Sequence, residues 1–261
     1  MAQGNFLVFL RKLSLFLLLI FVALGSYLSR VNATSWEDTL WVAVYPINGD
    51  DSEVSRRYLE TLTVEQFADI EYFMRQEAQR FGLPLEKPLH IDLGQVVSEQ
   101  PPLPPTTQSR FDIAVWSLKL RWWASRATSN QTGPTPDIRI FLRFFDPATA
   151  PALSHSVGLQ EGMLGIVNGF AANSMEGSNS FVVLHEVFHT LGATDKYDIS
   201  NQPVFPAGYA EPELRPLHPQ RYAELMGGRI VLTDASAEMP ENLRQVRIGE
   251  ASAMEINWRQ R

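Results

Sequence analysis

Apolar residues fall into short runs of two different periods, separated by proline, glycine and asparagine. Trp41-Val42-Ala43-Val44-Tyr45 is apolar throughout, which predicts a buried strand, and Pro46 with Asn48-Gly49 is expected to end it. Over Thr63–Phe81, Val64, Phe67, Ile70, Phe73 or Met74, and Ala78 recur at helical spacing, and Gly82 with Pro84 supplies a stop. Leu89–Leu93 reads as a second strand, Phe111–Ala124 as an aromatic-rich helix, Ile138–Phe145 as a third strand and Met163–Val167 as a fourth. Pro101-Pro102-Leu103-Pro104-Pro105 reads as an extended loop. Phe181-Val182-Val183-Leu184 opens a helix of about 14 residues, with N-cap oxygens available from Ser178-Asn179-Ser180.

Strands alternating with helices predict an α/β (α+β) fold: a twisted mixed sheet with helices packed on it. Trp116, Trp122 and Trp123 are expected to pack in the core or on that sheet. After Asp198 the pattern changes. Residues 199–219 carry Pro203, Pro206, Pro212, Pro216 and Pro219 with little apolar periodicity, which predicts an irregular lobe. A short helix near Glu241–Gln245 and an edge segment ending at Trp258 should close the chain. The expected organisation is a leader over residues 1–33 and one domain over 34–261, with an upper lobe to about residue 192 and a lower lobe beyond.

The leader is read from Leu13–Leu28, an uncharged run rich in Leu, Phe and Ile that follows Arg11 and Lys12. Its length suits a signal-peptide core, and Val31-Asn32-Ala33 offers the compact residues that a signal peptidase reads. Left uncut and extended back to Phe6, the segment would be a signal anchor and keep the chain in contact with the membrane. Both cases put the rest of the chain outside the cytoplasm: secreted, periplasmic or membrane-anchored. The whole chain carries 22 basic and 29 acidic side chains; without Arg11, Lys12 and Arg30 the remainder has 19 and 29, a net charge of −10. Such a surface does not suit nucleic acid. There is no cysteine, so neither disulfides nor thiolate ligands contribute.

The candidate chemistry lies in His185-Glu186-Val187-Phe188-His189-Thr190-Leu191-Gly192-Ala193-Thr194-Asp195. Histidines four apart share one helix face, so both imidazoles can reach a single zinc ion. Glu186 can take a proton from a water that the metal activates. Gly192 lets the helix stop and the chain turn back, and Asp195 can then supply a third ligand. His-Glu-x-x-His alone should arise by chance in roughly 0.5–1% of chains this long, and the glycine and aspartate at their offsets cut that steeply. Val183, Leu184, Val187, Phe188 and Leu191 give the helix a broad face to bury. Asp198 competes with Asp195 as third ligand, and the two carboxylates together could hold calcium. His90, His155 and His218 read as structural residues, with His218 as a replacement ligand in reserve.

His185-Glu186-x-x-His189-x-x-Gly192-x-x-Asp195 resembles the metzincin zinc-protease signature in the variant carried by small snapalysin-type proteases, where aspartate replaces the third histidine. The resemblance covers roughly residues 160–230. It implies a sheet above the zinc helix and a methionine-containing turn beneath the metal, for which Leu225-Met226-Gly227-Gly228 is the candidate. Metzincins often place an oxyanion-stabilising tyrosine just after that methionine; none follows Met226, leaving Tyr222 as candidate, with Tyr209 and Tyr197 elsewhere in the segment. The implied function is that of an exported zinc endopeptidase with Glu186 as general base and acid, pairing an extended protein or peptide substrate with an edge strand. The alternative is an exported non-catalytic zinc-binding module for adhesion or scaffolding, which would have no need of Glu186.

Overall fold

Strand β1 (Leu40–Asn48) lies between β2 (Leu89–Leu93) and β3 (Ile138–Phe145); β5 (Leu164–Phe170) follows β3, and β4 (Val157–Leu159) closes the edge, giving the order β2-β1-β3-β5-β4. The computed structural model describes residues 2–105, 109–131, 133–150, 153, 156–159 and 163–259. Four strands are parallel and β4 alone runs antiparallel, beside β5. Strand side chains alternate between faces. Val42, Val44, Ile140, Leu142 and Val167 join one apolar cluster with α3 (Ala68–Phe81) and α5 (Glu176–Leu191). Ala43, Tyr45, Phe141 and Ile166 join a second with α4 (Arg110–Ala127). The α/β expectation is met by this mixed fold with a parallel sheet covered on both faces.

Pro46 does not end β1, which runs on to Asn48. The carbonyls of Val44 and Pro46 point towards the β2 side, where β2 has given way to loop and the N–H groups of Gly94 and Val97 reach them. Proline's missing donor therefore faces a side where the ladder has already ended. The helix expected over Thr63–Phe81 is divided: Val64–Phe67 is a 3-10 turn and α3 starts at Ala68. Before it stands α2 (Glu53–Thr61), which apolar periodicity could not find because only Ser55 and Tyr58 of its residues are buried. Ser52 caps it, accepting from the Ser55 N–H at 3.0 Å.

The N-terminal segment is a single helix, α1 (Ala2–Ala33), and Leu13, Phe16, Leu17, Ile20, Leu24 and Leu28 are exposed on it. Among the described residues, no helix is long and apolar enough to cross a membrane. The end of α1 is built into the fold, since Ala33 is buried and the Trp36 indole donates to the Ile256 carbonyl at 2.6 Å. Trp258, expected in an edge segment, is instead buried edge-on against Trp36, just after the short helix α6 (Glu250–Glu255). The helix expected near Glu241–Gln245 is a 3-10 turn over Leu243–Gln245. Residues 199–219 contain no helix and no strand of their own beyond an isolated bridge at Pro203 and another at Tyr209.

Candidate metal centre

Helix α5 starts at Glu176, earlier than its sequence indicates, and Ser178-Asn179-Ser180 lie inside it. Their polar groups pin the helix instead of capping it. The Asn179 amide donates to the Phe170 carbonyl and accepts from the Phe170 N–H, both at 2.9 Å, while Ser180 Oγ donates to Asp69 at 2.7 Å. Val183, Leu184, Val187, Phe188 and Leu191 are fully buried, so α5 is held rigidly against the sheet. At its end Gly192 adopts φ 105°, which a side chain rarely tolerates, and its N–H closes on the last turn.

That turn brings Asp195 back over the helix. One oxygen, Oδ1, lies 3.2 Å from His185 Nε2 and 3.1 Å from His189 Nε2, and the three candidate ligand atoms all lie within 4.8 Å of one another. The other ring nitrogens are engaged with backbone carbonyls: His185 Nδ1 with Leu225 O at 3.0 Å, and His189 Nδ1 with Ala193 O at 2.9 Å. Nδ1–H donation to a carbonyl fixes the tautomer that leaves Nε2 free for a metal. Burial opposes charge on Asp195, but its bonds to both histidines hold the carboxyl well below the usual carboxylate range. Burial likewise opposes charge on His189, and Asp195 with Glu186 outweighs it, raising that imidazole.

Glu186 is buried next to this group, and its Oε2 has no hydrogen-bond partner among the described residues. Burial pushes its carboxyl up, against the pull of the neighbouring histidines. The Gly158 backbone on β4 lies beside that carboxylate and pulls its carboxyl the other way. A Cβ at Gly158 would lie 2.6 Å from His189 Cβ and 2.8 Å from Glu186 O, so only glycine allows β4 to approach α5 this closely. The donor set of two Nε2 atoms and a carboxylate, beside a buried carboxylate with one oxygen lacking a partner among the described residues, fits a divalent metal ion.

Met226 is fully buried, and its turn touches the site through the backbone: the Leu225 carbonyl meets His185, and the Met226 carbonyl accepts from the Lys196 N–H at 2.8 Å. Asp198 does not join the group. Its Oδ1 accepts from the N–H groups of Ser200 and Gln202, so the two carboxylates considered for calcium have different partners. His218 pairs with Asp234 and His90 with Glu71, while His155 lies outside the described residues.

The tyrosine at the site is Tyr197, not Tyr222. Tyr222 lies against the Arg247 guanidinium, 4.1 Å from its ring centroid, and Tyr209 packs on Phe205 and His218. Tyr197 stacks on His185 near Asp195; burial, then the charges of Asp195 and Glu186, keep its hydroxyl protonated far above the usual range. Its position two residues after Asp195 was the only available signal. A hollow of about 710 Å³ between α3 and residues 242–247 lies apart from the site, with Asp69, Tyr72 and Arg244 among its walls and no member of the triad.

No known protein-family model matches the chain, and no curated protein sequence matches it.

Proposed function

We propose that the chain is an exported zinc-dependent endopeptidase. The observation that carries this reading is the convergence of His185 and His189 Nε2 on one Asp195 oxygen, each ring oriented by a backbone carbonyl, beside a buried Glu186 carboxylate with a free oxygen. His185, His189 and Asp195 would hold the ion, and three protein ligands is the number that catalytic zinc sites use. When bound, zinc supplies a Lewis acid and makes a water acidic enough to lose a proton near neutrality.

Glu186 accepts a proton from the attacking water as the new C–O bond forms, and returns it to the amine nitrogen as the C–N bond breaks. Burial suits it to this work by bringing a carboxyl's proton affinity closer to that needed at neutral pH. Tyr197 takes the role expected of Tyr222: its protonated hydroxyl is a donor for the oxyanion that develops on the carbonyl. β4, the sheet's edge strand, lies over Glu186 and His189 at Gly158, and an extended peptide pairing with that edge would pass beside the general base. The arrangement of sheet, α5, irregular 199–219 segment and 225–228 turn is consistent with the metzincin resemblance. In this reading α1 serves as export signal or membrane anchor.

Hydrolysis of unfolded casein and of a broad peptide library by the purified full chain tests the proposal. Cleavage should disappear with a zinc chelator and return with added zinc. Retained zinc without cleavage of any substrate would overturn the proposal in favour of a non-catalytic zinc-binding module.

A further inference from the structure

Helix α4 is apolar on two opposite faces, and among the described residues only one of them is packed against the core. Trp116, Leu120, Trp123 and Ala124 are buried against the sheet. On the far side Phe111, Val115, Leu118 and Trp122 recur at i, i+4, i+7 and i+11, within about 60° of one another at 100° per residue. Phe111 is 75%, Leu118 52% and Trp122 64% exposed, so Trp122 departs from the core packing its spacing predicts. Leu103, 79% exposed, extends the stripe through a shallow groove that it lines with Val115.

The charges on this helix set it apart from the rest of the molecule. Arg110, Lys119, Arg121 and Arg126 stand against one acid, Asp112, in a chain of net charge −7. In helical projection Lys119 and Arg126 fall along one flank of the stripe, and Arg121 along the other. Arg126 is paired with Glu99 and also lies over the Trp122 ring. An apolar stripe with an interfacial tryptophan and basic flanks matches the chemistry of an anionic bilayer surface.

We infer that the outer face of α4 docks on an anionic membrane surface, with Phe111, Leu118 and Trp122 entering the headgroup region. Docking through α4 needs no catalytic activity, and it rests on the membrane reading of α1 only for bringing a bilayer within reach. α4 and α5 cover opposite faces of the sheet, so docking through α4 leaves the metal centre on the side away from the lipid.

The absence of cysteine permits a site-specific test. In the full chain, Leu118→Cys would carry an environment-sensitive fluorophore, with Glu213→Cys, on an exposed loop, as the control label. With vesicles of phosphatidylcholine and phosphatidylglycerol the Leu118 label should brighten and shift to the blue, less so with phosphatidylcholine alone or in high salt, while the Glu213 label stays water-like. Lys119→Glu in the labelled chain should weaken the shift on anionic vesicles. A Leu118 label that stays water-like on vesicles with which the chain co-sediments would overturn the inference. So would a blue shift without vesicles that grows with protein concentration, which would assign the stripe to a second copy of the chain.

Discussion

At the scale of single residues, Asp195 and Asp198 stand three positions apart and do different work. Asp195 binds both histidine Nε2 atoms, while Asp198 holds its own turn through the Ser200 and Gln202 N–H groups. Asp195→Ala should leave two protein ligands and lose zinc during dialysis against a weak chelator. Asp198→Ala should retain zinc and lose only about 1 kcal/mol of stability. Metal analysis of both variants decides the assignment; a zinc-replete Asp195→Ala protein would exclude that ligand. Tyr197→Phe should keep zinc and KM but lower kcat by roughly 10²-fold if its hydroxyl serves the oxyanion. Steady-state kinetics with unchanged kcat would remove it from the mechanism. The two histidines, Glu186 and Asp195 were legible because helical spacing and one glycine stop are local physics. Tyr197 was not: it reaches the site because the Lys196 N–H bonds the Met226 carbonyl, and a contact thirty residues away leaves no trace in local spacing.

Among the elements, β4 and the 224–228 turn clamp α5 from two sides. Gly158→Ala would place a methyl group against His189 Cβ and Glu186 O, and the strand or the helix must give way. The cost should be roughly 1–3 kcal/mol, with a larger fractional loss of activity than of zinc, measured by chemical denaturation and turnover on the same preparation. Beneath the turn, Glu224 is fully buried and accepts from the Gly227 and Gly249 N–H groups and from Ser252 Oγ. Burial pushes its carboxyl up even so. A carboxyl raised in the folded state binds its proton more tightly there than in the unfolded chain. Its contribution is complete below the ordinary glutamate value of about 4.3 and is lost as pH rises through the folded value. Glu224→Gln puts an amide nitrogen opposite a donor and should cost roughly 1–3 kcal/mol at low pH. The difference from wild type should narrow as pH rises through that window and then level off; a difference that widens would contradict the upward shift. Long apolar elements were legible from period alone, β1, α3, β3 and α5 among them. The shorter or more polar ones were not: three residues of β4 carry no period, and α2 buries too little.

For the whole molecule, one apolar cluster runs from Ala33 to Trp258 and takes in α5 as well as the 225–226 turn. A metal that ties α5 to the segment after Gly192 should therefore stabilise the fold as a unit. Chelation should lower Tm, and readdition of zinc should restore it in proportion to occupancy, by calorimetry or thermal fluorescence. A mixed sheet with helices packed on it was legible from the alternation of elements, though not that helices cover both of its faces. The closure of the chain was not, since Trp36 meets Ile256 and Trp258 across some 220 residues and nothing near Trp258 announces a helix. The central claim is that this fold presents Glu186 as a base beside a zinc ion. It is tested most directly by measuring zinc content and peptide hydrolysis side by side in wild type and Glu186→Gln. The account predicts equal zinc and the same fold in both, with nearly all turnover lost in the variant, because the amide cannot accept the proton. Wild-type turnover in the zinc-loaded variant would contradict it.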